Sequence, residues 1–302
     1  MVPITPELRL LRYFVAVAEE LHFGRAAARL RIAQPSLSRA IRDLERVLDT
    51  EVFTRTKRTV RLTDAGHALL GEAPRALAEV ERACEQARRV GRGEAGELTL
   101  AFLPSAATEL VPAIMRASRE AYPGVHLRLL ELLDDRQLEG LREGRLDVGV
   151  LRTRRHSDEL TFQPLRRERL TVAVAHDHRL ARRKRIRYAD LRGEALIMWP
   201  RAEAAETFDT IIGACRRAGF SPQVIQEASS AHTIIGLAAA GVGAAVMASA
   251  FSTHTGADVA FIPITDSELV LYLAWRTHDP SPARDNLIAV ARRVATRLPA
   301  VR

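Results

Sequence analysis

The sequence predicts an α+β protein in three consecutive parts: a small helical head with a β-hairpin, a long helix, and an α/β body. Three observations lead there. Residues 26–45 read as two short helices around a tight break, with a hairpin pattern following at 52–62. Apolar residues then recur by alternating threes and fours from Leu70 to Ala87. Beyond Leu98, short apolar runs alternate with helical stretches, the pattern of βαβ units.

In the head, residues 7–20 are expected to form a first helix, with Leu8, Leu11, Phe14, Val15 and Ala18 on its buried face. His22-Phe23 leads into a second helix, with Phe23 as a core plug. The small residues Ala26-Ala27-Ala28 let it approach a neighbour closely, and Leu30 anchors it. After the break at Ile32-Ala33-Gln34, Pro35 suits the first turn of a third helix, where its missing N–H costs nothing. Leu37, Ile41 and Leu44 give that helix a buried face, while Ser36, Ser38, Arg39 and Arg42 line the opposite one. A helix that is polar and basic near its start, after a tight turn, is built to enter a major groove. The alternative is an ordinary helical hairpin with a solvated face. Val52-Phe53 and Val60-Arg61-Leu62 then read as strands joined by a tip carrying Arg55, Lys57 and Arg58. Together these form a winged helix-turn-helix.

Charge supports that reading. The chain of 302 residues carries a net charge of +8, and residues 1–62 hold twelve Lys/Arg against seven Asp/Glu. A surplus of five on a fifth of the chain suits a head that binds a polyanion. Cys84 and Cys215 lie far apart, without metal-ligand spacing, and indicate a reducing compartment. No apolar signal core opens the chain, so export is not expected and a cytoplasmic location is. Residues 228–257 lack Asp, Glu, Lys and Arg, but Gly241-Val242-Gly243 interrupts them; they read as a buried helix turning into a buried strand rather than a membrane span.

Five linked motifs resemble the LysR-type transcriptional regulators: Ala26-Ala27, Gln34 to Ser38, Leu44-Glu45, Phe53-Thr54-Arg55, and Leu62 to Gly66. The resemblance covers the whole chain. It implies a winged helix-turn-helix over 1–63, a linker and dimerisation helix with hinge over 64–93, and an effector-binding domain over 94–302. That domain would resemble a periplasmic binding protein, with subdomain I at 94–161 plus 268–302 and subdomain II at 162–267. Phe102 to Ala107, Glu143 to Gly149 and Gly236 to Gly243 are similar to the regulators of aromatic-compound degradation. The implied partners are double-stranded promoter DNA and a small-molecule effector, a small aromatic or organic acid. A second and then further copies of the chain would make a homodimer and homotetramer, and RNA polymerase is a further candidate.

The residues themselves agree with the linker. Leu70, Ala73, Leu77, Val80, Cys84 and Ala87 keep a 3.5-residue period, the mark of a coiled-coil seam, against the alternative of a helix packed on its own domain. Pro74 is expected to kink that helix or end its first part. Gly91 to Gly96 then reads as a hinge. In the body, strands are expected at 98–103, 125–130, 148–151, 170–175, 195–198, 224–226 and 269–275. Helices at 105–121, 136–143 and 286–297 complete a parallel sheet covered on both faces.

The DNA-contacting candidates are Gln34, Pro35, Ser36, Ser38, Arg39 and Arg42 on the third helix, with Arg55, Lys57 and Arg58 on the wing. Effector candidates follow from the rule that ligands gather at the carboxyl ends of strands, near helix starts. Ser105 with the N–H groups of Ala106 and Ala107 offers a carboxylate cradle, or serves only as a helix cap. Trp199 and Pro200 offer a flat apolar wall, or belong to the core. Ser229 and Ser230 precede another helix, and Arg152 offers a counter-charge for an acid. Asp134 departs from the subgroup, which often has a hydroxyl residue there. A carboxylate at that point repels an anion, so the ligand is neutral or cationic unless Asp134 merely caps the next helix.

No catalytic signature stands in the chain: no Gly-x-Ser-x-Gly, no P-loop, no His-Glu-x-x-His. Gly241-Val242-Gly243 follows a helix and is no dinucleotide fingerprint, and His176-Asp177-His178 reads as an exposed turn rather than a metal site. No enzyme, cofactor or metal is expected. The alternatives kept open are a regulator without an inducer, and an α/β ligand-binding or enzymatic body whose helical head only dimerises.

Overall fold

The computed structural model describes residues 6–56, 59–154, 157–253 and 258–298, in two compact units, 1–88 and 89–302. The first unit opens with α1 (Leu8–Glu20), α2 (Phe23–Leu30) and α3 (Gln34–Leu48). Each ends on a non-glycine residue in the left-handed region: Leu21, Arg31 and Asp49. Leu10, Phe14, Val17 and Ala18 form the buried stripe of α1. The expected stripe was displaced by about one position, since Leu8 is 40% exposed and Leu11 only half-buried. Phe14, Phe23 and Phe53 meet at the centre, with Phe53 ring centroids 5.4 and 6.1 Å from the other two. Leu37, Ile41 and Leu44 are fully buried beside them, as their spacing predicts.

The wing is the antiparallel pair β1 (Phe53–Arg55) and β2 (Val60–Leu62). Thr56 and Thr59 close its turn: the Thr56 N–H donates to Thr59 O and the Thr59 N–H to Thr56 Oγ1. Thr63 then starts α4 (Asp64–Gly91). Its hydroxyl accepts the Gly66 N–H at 3.0 Å and donates to the carbonyl of Glu51 at 2.7 Å. Gly66 is forced by contact: a Cβ there would lie 2.1 Å from the carbonyl oxygen of Val52.

α4 is one helix of 28 residues, so of the two outcomes expected at Pro74, a kink or an end to the first part, the end does not occur. Pro74 is exposed, where water can take the carbonyl that loses its intrahelical partner. Of the apolar seam, Ala73 is buried, Leu77 and Val80 are half-buried, and Cys84 and Ala87 are exposed.

The second unit is built on one eight-stranded sheet, ordered β4-β3-β5-β10-β6-β9-β7-β8. The first group comprises β3 (Ala95–Phe102), α5 (Leu110–Ala121), β4 (Gly124–Glu131), α6 (Asp134–Arg142) and β5 (Val148–Leu151). The second comprises β7 (Ala195–Met198), α7 (Ala205–Arg217), β8 (Gln223–Glu227), α8 (Ala231–Ala239) and β9 (Ala244–Ala248). Within each group the strands run parallel. Two long strands, β6 (Leu160–Ala175) and β10 (Val259–Arg276), join the groups, and α9 (Pro282–Arg297) closes the chain.

These long strands correct the expected all-parallel sheet. β6 and β10 pair antiparallel with each other, and each is also antiparallel to its outer neighbour. Their pairing shifts register between Ile264 and Leu269, opposite Leu170 and Glu168. One side of that shift pairs with β5 and the other with β9, so the chain crosses twice between two α/β halves. The strands expected at 170–175 and 269–275 are therefore only ends of longer ones. The helix expected at 105–121 is also two pieces, a 3-10 turn at Pro104–Ala107 and then α5. The charge-free stretch is α8 turning into β9, and among the described residues no helix is long and apolar enough to cross a membrane.

Each half has its own core. Leu98, Leu100, Ile114, Leu287 and Val290 fill one under α5 and α9. Val172, Leu196, Ile211, Cys215 and Val246 fill the other under α7. Burial pushes the Cys215 thiol up to about 11. In a Cys84→Ser chain, no thiol should react quickly with a disulfide reagent at pH 8 until denaturant is added. Fast labelling of the native chain would mean that this core opens.

Candidate functional site

In the head, the polar surface begins where α2 ends. The Arg31 N–H bonds to Ala28 O and the Ile32 N–H to Ala27 O, which fixes the break before α3. Ala33 occupies the cap position of α3 with no side-chain bond to its first turn. Gln34, Pro35 and Ser36 around it are exposed, Ser38 is half-buried, and Arg39 is exposed one turn on. A 15-residue helix thus presents an uncapped, electropositive start together with small polar side chains.

The arginines of this unit divide by what holds them. Arg25 and Arg29 pair with Glu20 and Glu19, Arg46 with Asp43, and Arg12 with Glu81. Arg42 folds back so that its Nε donates to Ser38 O at 3.4 Å. Arg55 is also engaged: its Nη2 donates to Glu45 Oε2 at 2.7 Å, and its guanidinium lies 4.9 Å from the Phe23 ring centre. Glu45 Oε1 accepts the backbone N–H groups of Val52 and Phe53. This carboxylate therefore ties the wing to the third helix, and Arg55 belongs to that tie. Lys57 and Arg58 lie outside the described residues. Arg31, Arg39 and Arg61 are exposed and have no ion-pair partner among the described residues. Sequence reasoning missed Arg31 and Arg61; their signal is position, one in the tight break and one on the outer face of the wing strand.

In the second unit, a cleft lies between the two halves at the carboxyl ends of β3, β5, β7 and β9. Leu103, Pro104, Ser105, Leu133, Asp134 and Arg152 line it from one half. Trp199, Ala204, Thr207, Ala248 and Phe251 line it from the other. Its walls nearly meet, leaving about 20 Å³, room for one water-sized sphere. Trp199 and Phe251 stack with centroids 6.0 Å apart and planes at 29°.

Arg152 is the hub. Its Nη2 donates to Ser105 Oγ and to Glu168 Oε2, both at 2.7 Å. The arginine side chain is 9% exposed and the glutamate 4%. Ser105 thus neither caps a helix nor stands free, and Arg152 already has its counter-charge. The Ala106 N–H is also spent, on Leu103 O, because the turn there is 3-10. Asp134 lines the cleft, but it does not cap α6, whose cap position is Leu133. Asp134 Oδ1 accepts the backbone N–H of Arg152 at 2.7 Å and of Thr153 at 2.9 Å, holding the end of β5 in place. Two of the lining residues carry a buried donor without a hydrogen-bond partner among the described residues, Arg152 Nε and Trp199 Nε1.

Ala107, Ser229 and Ser230 do not line this cavity. They border a neighbouring hollow of about 390 Å³, together with Pro104 and Phe251. Pro200 lies just past Trp199, its carbonyl accepting the N–H groups of Glu203 and Ala204. Sequence reasoning missed Phe251 and Glu168. Phe251 follows the end of β9 and falls under the strand-end rule; Glu168 carries no such signal. At the expected exposed turn, His178 Nδ1 accepts the Leu180 N–H and Nε2 lies 3.1 Å from Glu194.

Comparison with known proteins covers both units. Residues 8–67 match the model of the bacterial regulatory helix-turn-helix protein of the lysR family, and residues 91–296 match the LysR substrate binding domain. The chain is 39% identical to the uncharacterized HTH-type transcriptional regulator YnfL of Escherichia coli, over 93% of this chain and 96% of that protein. It superposes on the crystal structure of CbnR, a LysR family transcriptional regulator, with a TM-score of 0.85 at 29% identity, covering 95% of this chain and 100% of CbnR. Full-length CbnR complexed with its target DNA gives 0.84 at 29% identity, over 96% and 99% of the two chains.

Proposed function

Because the chain belongs to the LysR family of bacterial transcriptional regulators, we propose that α3 reads promoter DNA and that the cleft of the second unit takes the effector. The observation that carries the first half is the uncapped, exposed start of α3 with Arg31 and Arg39 unpaired beside it. In this reading Gln34, Pro35, Ser36, Ser38 and Arg39 meet base edges and the adjoining backbone in the major groove. Arg31, Arg61, Lys57 and Arg58 meet phosphates, and Arg42 joins them by releasing Ser38 O. The protein works in the cytoplasm, where its DNA is, and performs no chemistry of its own.

The three-part division at 1–63, 64–93 and 94–302 is kept, with 64–93 as the dimerisation element. Supporting this, Leu77, Val80, Cys84 and Ala87 are left half-buried or exposed by their own chain along a regular seam. A dimer reading two half-sites supplies the specificity that one small head lacks.

The cleft couples to DNA because it is nearly shut. A ligand larger than water enters only by parting Trp199 and Phe251 from Ser105 and Arg152, which turns one α/β half against the other. That rotation is the signal passed through the linker.

Arg39→Ala should weaken binding to the operator by about 1–3 kcal/mol and relax its preference over scrambled DNA. Arg61→Ala should weaken all duplexes alike and lower the salt slope by about one unit. Both follow from anisotropy titrations across salt. An Arg39→Ala chain that keeps the full operator preference takes Arg39 out of the reading set.

A further inference from the structure

We propose that the effector of this chain is an uncharged, flat molecule bearing a hydrogen-bond acceptor, and that Glu168 is the residue that turns anions away. The proposal rests on the cleft being the effector site. Charge around the cavity is the first ground. Arg152 contributes one positive charge; Glu168 and Asp134 contribute one negative charge each. The next pair along, Arg166 and Glu109 at 3.0 Å, cancels itself. A carboxylate ligand would therefore join a site that already has one negative charge in excess, in a setting with little water to screen it.

Hydrogen bonding is the second ground. Three acceptor atoms of the site already hold donors: Asp134 Oδ1 takes two backbone N–H groups, and Ser105 Oγ and Glu168 Oε2 take Arg152 Nη2. Two donors of the lining residues, Arg152 Nε and Trp199 Nε1, have no partner among the described residues. Their side chains are both more than nine-tenths buried, so the cost of leaving them bare is met by a ligand acceptor. Lining is the third: Trp199, Phe251, Leu103 and Leu133 border the cavity, so once its walls part they offer flat apolar surface to a planar body. A ketone, lactone or amide carbonyl on a ring satisfies all three, and a carboxylate fails the first.

The test uses the full chain and shape-matched probes that differ in charge, in calorimetric titration: acetophenone, benzamide and phthalide against benzoate and 2-(hydroxymethyl)benzoate. At least one neutral probe should bind, about tenfold or more tighter than its anionic counterpart, the least that one nearby like charge would impose. Glu168→Gln keeps an acceptor for Arg152 and removes the charge, and should bring the two classes within about threefold. Tighter binding of the anions to the native chain overturns the proposal, as does binding of no neutral probe. An unchanged ratio in Glu168→Gln removes Glu168 from it, and if that variant does not fold, the native ratio decides alone. Ala204→Trp fills the cavity and separates the two levels of the reading. Anion binding that Ala204→Trp abolishes overturns only the charge rule, whereas binding of any probe that survives it overturns the cleft as the site.

Discussion

Gly66→Ala should unfold the DNA-binding head at physiological temperature while leaving the α/β body folded. The new Cβ would sit 2.1 Å from the Val52 carbonyl oxygen, a backbone atom that cannot rotate away. That carbonyl also accepts the Thr63 N–H, so moving it breaks the bond that seats α4. Overpacking of this kind costs about 3 kcal/mol or more. A head this small has little stability in reserve. Gly71→Ala is the control, because no described residue lies within 4 Å of its added methyl. In mid-helix it should stabilise by about 1 kcal/mol. Thermal melts followed by helical circular dichroism, with operator binding as the second readout, distinguish the pair. A Gly66→Ala chain that melts like the native one would show that the α4 entry has room the packing denies.

Glu168→Ala should destabilise the body by about 3–5 kcal/mol, the cost of leaving one partner of a buried ion pair uncompensated. Among the described residues, Arg152 would keep Ser105 Oγ alone as a hydrogen-bond partner for its guanidinium, at 9% exposure. For a unit of this size that is a fall in Tm of roughly 10 °C. Replacing both partners by apolar residues, Arg152→Met with Glu168→Leu, should recover most of the loss, since neither charge then needs a counterpart. A loss below about 1 kcal/mol for Glu168→Ala would equate the pair with an exposed one and deny that the cleft is dry.

The contrast between Arg39 and Arg55 shows how far sequence carries the site. Local order was legible: Leu37, Ile41 and Leu44 announced the buried face of α3, and the opposite face followed from it. Arg55 reads as a DNA contact because it is a cation on a hairpin, and its tie to Glu45 is a second task that the sequence does not show. Its partner Glu45 stands ten residues earlier on another element, and no local pattern connects them. The long strands failed for the same reason. Arg166, Arg167, Glu168 and Arg169 interrupt the apolar run of β6, so the sequence pattern places the strand's start at Leu170. Two of those charges are buried because Glu109 and Arg152 come from other segments to pair them. The effector candidates were found by the strand-end rule, which names places rather than roles. Ser105, Asp134 and Arg152 do meet at the cleft, but their hydrogen bonds to one another, and to Glu168, appear only when the chain is folded.

The central claim, that this chain recognises a particular DNA sequence through its head, has one direct measurement. Fluorescence anisotropy of the purified chain would be recorded with a duplex from the intergenic region beside its own gene and with a scrambled duplex, each across a range of salt. Binding to the first at least about a thousandfold tighter, with a steep salt slope on both, is the predicted result. Equal and weak binding to both duplexes, with the head folded, would contradict it.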